Sequence, residues 1–313
     1  MTDGLEVPVG SSPSRAFLVL SHTGRPESRR AALEAVRYLL QAGAVPVLLP
    51  SEHADLSADG PEISHAAVLD RDCDLSEIEL ALVLGGDGTI LRSAEIVRGA
   101  ELPLLGVNLG HVGFLAEAER EELREVVRRV MARDYLVEER MAIDAVVYAS
   151  GGAELHRTWA LNEATVEKST AGKMVEVVIE VGGRPLSTFG CDGVVMATPT
   201  GSTAYAFSAG GPVVWPNIDA MLLVPLSAHA LFARPLVVAP DTVLAVEVLE
   251  SSPSSGILWC DGRRSIDLPP GARVEVRRSQ TSVRLARLSK AAFTDRLVHK
   301  FNLPVSGWRG ARS

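Results

Sequence analysis

The fold class this chain predicts is an N-terminal α/β domain followed by a C-terminal antiparallel β-rich domain. Three observations carry that expectation. The 313 residues exceed the usual size of one domain and suit two. Up to about Tyr135, short apolar runs alternate with helical patterns, the mark of a parallel sheet covered by helices. From there to about Leu288, short β-like runs with turn punctuation follow one another without a long helix. The expected division is 1–137, 138–288, and a tail, 289–313, returning to the first domain.

The elements follow in order. Ala16–Leu20 reads as a strand bounded by Ser21–Pro26. Glu27–Ala42 reads as a helix, with Ala32, Val36, Leu39 and Leu40 at helical spacing and Gly43 as its stop. Val45–Leu49 completes a βαβ unit. Ser51–Leu75 is polar and rich in turn signals, an irregular stretch with room for a short helix. Leu80–Leu84 is a buried-type strand. Gly85–Gly88 is a tight loop, and Thr89–Val97 starts a helix. Leu102–Val107 is another strand, and Arg120–Ala132 an amphipathic helix. In the second part, Ala142–Tyr148, Val175–Val181, Leu236–Val238, Leu244–Leu249 and Val274–Arg277 read as strands, with a short helix allowed within Ala220–Ala233. Ala291–Phe301 returns to helical character.

Composition narrows the function classes. Apolar residues make up 47% and charged residues 22%, which is soluble-globular rather than disordered. The net charge of −8 lacks the basic excess of a nucleic-acid binder. Cys73, Cys191 and Cys260 are odd in number and widely spaced, as expected for reduced thiols in a cytoplasmic protein. Met1–Arg15 lacks the pattern of a signal peptide, and no apolar run reaches the roughly 18 residues of a membrane span. Internal repeats and heptads are absent.

Gly85-Gly86-Asp87-Gly88-Thr89 sits between a buried strand and a helix. Glycines let the backbone approach a ligand, and a helix N-terminus offers free N–H groups and a favourable dipole to a phosphate. Ligands of open α/β sheets bind at the carboxyl ends of strands, where this loop falls. A plain turn with an Asp/Thr cap is the alternative. The loop is neither a Walker A sequence nor the dinucleotide G-x-G-x-x-G. Asp87 would repel phosphate, so it suits a different role, either accepting a proton from a hydroxyl nucleophile or helping to hold Mg²⁺. Arg92 can screen phosphate charge, or simply be solvated. Gly106-Val107-Asn108 through Gly113-Phe114 ends the next strand at the same edge, with His111 as a ligand contact or a structural residue.

Thr198 to Ser208 carries six hydroxyl side chains, and no charged residue lies between Asp192 and Asp219. Hydroxyls and amides bind phosphate, ribose and base edges without cationic charge; a Gly/Pro/Ser/Thr connection between strands is the alternative. Asp192, flanked by glycine, is a turn residue or a ribose acceptor. Asn162 and Glu163 are adjacent, so a strand must bulge or end there if both face one ligand; one buried and one solvated side chain is the alternative. Lys173 lies in a polar connection and either meets a phosphate or stays solvated. Spacings for zinc proteases, C-x-x-C sites and G-x-S-x-G hydrolases are missing.

Together these residues resemble the NAD kinase family: Gly85-Gly86-Asp87-Gly88-Thr89, Gly106-Val107-Asn108 with Gly113-Phe114-Leu115, Asn162-Glu163, Asp192-Gly193, Thr198 through Tyr205, and His229 through Pro235. The resemblance spans roughly Leu80 to Arg309, including Phe293–Trp308. Ala228 departs from it, standing where the family commonly has proline. The glycine loop alone is shared with lipid kinases and phosphofructokinases; the Thr198–Tyr205 run is far more specific. The resemblance implies a Rossmann-like α/β domain and a β-rich domain. It implies transfer of the γ-phosphoryl group of ATP, or of polyphosphate, to the 2′-hydroxyl of the adenosine ribose of NAD, with Mg²⁺ delivered on the donor. Asp87 would be the proton acceptor. Asp87, Gly88, Arg92, Asn162, Glu163, Lys173, Asp192, Thr203, Ala204, Tyr205, Ala206, Phe207 and Ser208 would contact NAD. Gly85, Gly86, Gly88 and Thr89 would form the phosphate loop. A cytoplasmic homodimer or homotetramer, with neither nucleic acid nor membrane as partner, completes the expectation. The competing readings are a lipid or sugar kinase with the same glycine loop, and an NAD-binding regulator without turnover. A dehydrogenase lacks its glycine fingerprint.

Overall fold

The computed structural model describes residues 15–110, 113–289 and 293–305. The segment before residue 15, His111, Lys290 and Trp308, all touched by the sequence expectations, lie outside these residues. The chain divides into two units between Glu138 and Glu139.

The first unit runs β1 (Ala16–Ser21), α1 (Pro26–Gln41), β2 (Val45–Leu48), α2 (Pro50–Leu56), β3 (Ala67–Val68), β4 (Ile78–Leu84), α3 (Asp87–Val97), β5 (Leu104–Asn108), β6 (Ala118–Glu119), α4 (Leu123–Met131) and β7 (Leu136–Arg140). Pro26 starts α1 because its fixed φ suits the first turn, where its missing N–H costs nothing. The buried stripe Ala31, Ala32, Ala35, Val36 and Leu39 packs with Phe17, Val19, Leu80 and Leu82 of the sheet. The strands β1, β2, β3, β4 and β5 are parallel. Ser21 pairs with Leu84, and Leu84 with Val107. The connections that follow β1, β4 and β5 therefore leave the sheet at one carboxyl edge.

The second unit contributes β8 (Ile143–Tyr148), β9 (Glu154–Ala160), β10 (Glu163–Lys168), β11 (Val175–Val181), β12 (Arg184–Cys191), β13 (Gly193–Ala197), α5 (Tyr205–Ser208), β14 (Met221–Leu226), β15 (Leu236–Val238), β16 (Leu244–Val248), β17 (Gly256–Cys260), β18 (Arg264–Leu268) and β19 (Arg273–Arg278). They form two six-stranded antiparallel sheets, ordered β15-β14-β13-β10-β17-β18 and β12-β11-β16-β19-β8-β9. Alternate residues such as Val175, Val177 and Ile179 of one sheet and Ala164, Val166, Val194 and Met196 of the other share a single core. Cys191 and Cys260 are buried in it as free thiols, and burial pushes both up to about 12.

The chain then returns. β20 (Val283–Arg287) lies parallel to β5, with Leu285 opposite Leu104, and extends the order to β3-β2-β1-β4-β5-β20-β7. The buried Glu117 carboxylate secures it, accepting from Arg287 and from the Leu288 and Ser289 N–H groups. In α6 (Phe293–Phe301), residues 293–298 count with the second unit and 299–301 with the first, where Phe301 lies 5.9 Å from Phe114.

Two local expectations are corrected. The helix allowed within 220–233 is absent, and Met221–Leu226 is β14 instead. Met221 and Leu223 enter the main core while Leu222 and Val224 pack into a second cluster on the opposite face. A strand buried on both sides shows no alternation, so periodicity cannot separate it from a helix. The helix expected from Arg120 begins with a 3₁₀ turn, Arg120–Glu122, before α4. The irregular 51–75 stretch holds α2, a 3₁₀ turn at Pro61–His65, and β3. No helix among the described residues is long and apolar enough to cross a membrane.

Candidate active site

In the first unit, the glycine loop leaves β4 and α3 begins at Asp87. The first N–H groups of a helix have no intrahelical partner. A Cβ on Gly86 or Gly88 would meet nothing within 4 Å, so this face of the loop is open. Asp87 is held from the neighbouring connection. The Phe114 N–H donates to Oδ2 and the Leu115 N–H to Oδ1, each at 3.0 Å. Gly113 makes this possible: a Cβ there would stand 2.2 Å from Asp87 Oδ1. The carboxylate is thus fixed by two backbone amides, half-buried, with lone pairs left over for another partner. Arg92 lies further along α3. Its Nη1 donates to the Ser21 carbonyl at 3.2 Å, and its Nη2 stands 3.5 Å from Glu52 Oε1.

In the second unit, Asn162, Glu163 and the hydroxyl-rich loop meet at one corner. Asn162 precedes β10 and Glu163 starts it, so the strand begins between them. Thr198 ties the hydroxyl-rich loop to this corner. Its N–H donates to the Asn162 carbonyl at 2.9 Å and its hydroxyl to the Leu161 carbonyl at 2.5 Å. Gly201 lies so close that a Cβ would come within 2.0 Å of the Asn162 carbonyl oxygen. The hydroxyls divide into structural and accessible ones. Thr198 and Ser202 are fully buried, and Ser202 bonds Pro199 and Val214, so both serve the loop itself. Thr203 is half-buried and donates to the Thr200 carbonyl. Tyr205, Phe207 and Ser208 are exposed on α5, and Ala206 is buried beneath them.

Glu163 is the most perturbed of these groups. It is 6% exposed, and its Oε2 is buried without a hydrogen-bond partner. Burial first, then the nearby Asp261 carboxylate, push it up to about 8, against the Tyr205 N–H that donates to it. Burial also raises Glu167, which accepts the Tyr205 hydroxyl. Asp192 pairs with Lys168, which holds it below the usual carboxylate range, aided by Ser227. Lys168 is thus placed beside Asp192, and Lys173 is exposed in the following connection.

Three participants escaped the sequence reading. Asp261 is 7% exposed at φ 53° and accepts the Asn162 N–H at 2.7 Å and the Leu161 N–H at 3.0 Å. Arg264 bonds Asp261 at 3.0 Å and lies 4.8 Å over the Trp159 ring. Glu52 holds Arg92 in the first unit. Asp261-Gly262 reads in sequence as an ordinary turn, and Glu52 as one more helix residue; neither carries a local signal.

Comparisons with known proteins identify the family. The model described as the ATP-NAD kinase N-terminal domain matches residues 17–135, and that of the ATP-NAD kinase C-terminal domain matches 161–288. The NAD kinase of Leifsonia xyli subsp. xyli is 62% identical over 296 residues, covering 95% of this chain and 97% of the relative. That of Thermobifida fusca is 58% identical over 313 residues, covering 99% and 96%. Among solved structures, yeast NADH kinase complexed with NADH aligns with a TM-score of 0.84 at 23% identity, covering 95% of this chain and 90% of that one. An NAD kinase from Archaeoglobus fulgidus in complex with ATP aligns with a TM-score of 0.68 at 25% identity, covering 92% and 98%.

Proposed function

The chain belongs to the NAD kinase family, and from that premise we propose how its residues convert NAD to NADP. The γ-phosphoryl group of ATP passes to the 2′-hydroxyl of the adenosine ribose. The ATP complex of the Archaeoglobus relative supports ATP as donor. Polyphosphate is the second donor to try.

The observation that carries the mechanism is the Asp87 carboxylate, aimed by the Phe114 and Leu115 amides beside an open glycine loop. Phosphoryl transfer is mostly positioning and charge neutralisation. Asp87 takes the hydroxyl proton as the bond to phosphorus forms. Gly85, Gly86, Gly88 and Thr89 offer backbone to phosphate at the start of α3. Arg92 supplies positive charge. Asn162, Glu163, Asp192 and the 203–208 segment hold NAD, with Tyr205 and Phe207 presenting aromatic faces and Ser208 a hydroxyl. Lys173 joins them if the 169–174 connection closes over the ligand.

Asp87 lies within the glycine loop and keeps lone pairs beyond those taken by the Phe114 and Leu115 N–H groups, so it can meet Mg²⁺ carried on phosphate oxygens. Bound that way, Mg²⁺ would neutralise phosphate charge. The working protein is a cytoplasmic homodimer or homotetramer, which light scattering of the purified protein tests.

Incubation with NAD, Mg²⁺ and ATP, followed by an NADP-specific dehydrogenase assay, tests the activity. NADP from the wild type and little from D87N is the expected result. A folded protein that yields no NADP with ATP or polyphosphate would reject the reading in favour of an NAD-binding regulator.

A further inference from the structure

Glu52 is a buried carboxylate that the proposed chemistry leaves unused. It lies on α2 and is 2% exposed. Its Oε2 and Oε1 accept the Ser21 N–H at 3.1 and 3.4 Å. Its Oε1 also faces Arg92 Nη2 at 3.5 Å, while Arg92 Nη1 donates to the Ser21 carbonyl at 3.2 Å. The last residue of β1, the buried carboxylate and the guanidinium thus close a ring at the carboxyl edge of the parallel sheet.

Burying a carboxylate costs several kcal/mol unless its partners repay it. A neutral acceptor would satisfy the Ser21 N–H alone at less cost. What only a carboxylate adds is a charge-assisted hold on the guanidinium. Arg92 has five N–H donors; one bonds the Ser21 carbonyl, Nη2 faces the Glu52 charge, and the side chain keeps 36% of its surface exposed. One side of the guanidinium is therefore anchored and the other is open. Burial pushes Glu52 up to about 7, opposed by the Ser21 N–H and by Arg92 and reinforced by the Asp55 charge.

We propose that Glu52 is a positioning residue, which fixes Arg92 with its open N–H groups toward an anionic phosphate group of NAD. The proposal rests on the reading that Arg92 contacts NAD. It assigns a role to the 51–75 stretch, which matched no pattern in the sequence.

The test is steady-state kinetics with NAD and ATP varied separately in E52A, E52Q, R92A and E52A/R92A. E52A should raise KM for NAD about tenfold, a coupling usual within one ion-pair network. Its KM for ATP should stay put and its kcat fall less than about threefold, whereas a merely structural role would lower activity without that split. E52Q keeps an acceptor for the Ser21 N–H but loses the charge that holds the guanidinium, so it should raise KM for NAD in the same selective way as E52A. R92A should match E52A, and the double variant should be no worse than R92A. An unchanged KM for NAD in E52A, beside a raised one in R92A, would overturn the proposal and leave the Arg92 reading standing. An unchanged KM in R92A would overturn both. If E52A does not fold, E52D keeps the charge but shortens the reach, and it should raise KM for NAD in the same selective way; an unchanged KM there would likewise overturn the proposal.

Discussion

Replacing Asp261 by asparagine should destabilise the second unit and weaken NAD binding together. Asparagine tolerates the left-handed backbone at this position, so D261N leaves the φ of 53° without new strain. What changes is the carboxylate. Its two oxygens accept the Asn162 and Leu161 N–H groups at 2.7 and 3.0 Å, and Arg264 pairs with one of them at 3.0 Å. An amide can accept only one of the two N–H groups and must present its own NH₂ to the other. The stranded donor costs about 1–3 kcal/mol. The lost pair with Arg264 adds less, because that side chain is 27% exposed and screened by water. Against this, Asp261 itself suffers from burial, which raises it above the usual carboxylate range. The net expectation is about 2–3 kcal/mol. Urea unfolding read by intrinsic fluorescence should show that loss as a lower midpoint at unchanged slope. KM for NAD should rise more than KM for ATP, because Asn162 and Glu163 lose their brace. A loss under about 0.5 kcal/mol, the ordinary surface value, would refute the argument that Asp261 organises this corner.

Three further outcomes are expected. Turnover in D87N should fall by about 10²–10⁴-fold with the melting temperature little changed, and near-normal turnover would remove Asp87 as proton acceptor. Y205A should raise KM for NAD more than that for ATP without loss of fold, because Tyr205 is 39% exposed; an unchanged KM for NAD would take it out of the site. Stability should decline with rising pH between about 4.5 and about 8, because folded Glu163 keeps a proton that the unfolded chain has released. That contribution is fully present below 4.5 and gone above 8, with a slope of up to about 1.4 kcal/mol per pH unit. Glu52 adds the same sign between 4.5 and about 7. Urea midpoints for wild type and E163Q at pH 5 and pH 9 check this: the difference between the two pH values should shrink in E163Q.

The features legible in the sequence are those that local chemistry writes. The parallel sheet of the first unit was readable because β1, β4 and β5 are apolar runs bounded by turn residues and separated by helical spacing. Gly85–Thr89 and Thr198–Tyr205 were readable because close backbone approach demands glycine and a charge-free stretch stands out in a charged chain. Each of these inferences uses residues close to one another in the chain.

The rest was decided by contacts between distant positions. Met221–Leu226 is a strand because cores form on both of its faces, a fact its own composition does not encode. Lys168 meets Asp192 because antiparallel pairing sets Glu167 opposite Gly193. Glu52 becomes a partner of Arg92 only through the end of β1. Asp261 reaches Asn162 across 99 residues because β17 lies beside β10. The sequence by itself determined the fold class, the glycine loop, the hydroxyl-rich loop and the family. Only the tertiary structure decided which charges are buried and what holds them, because desolvation and pairing depend on the neighbours that folding brings and not on those the chain supplies.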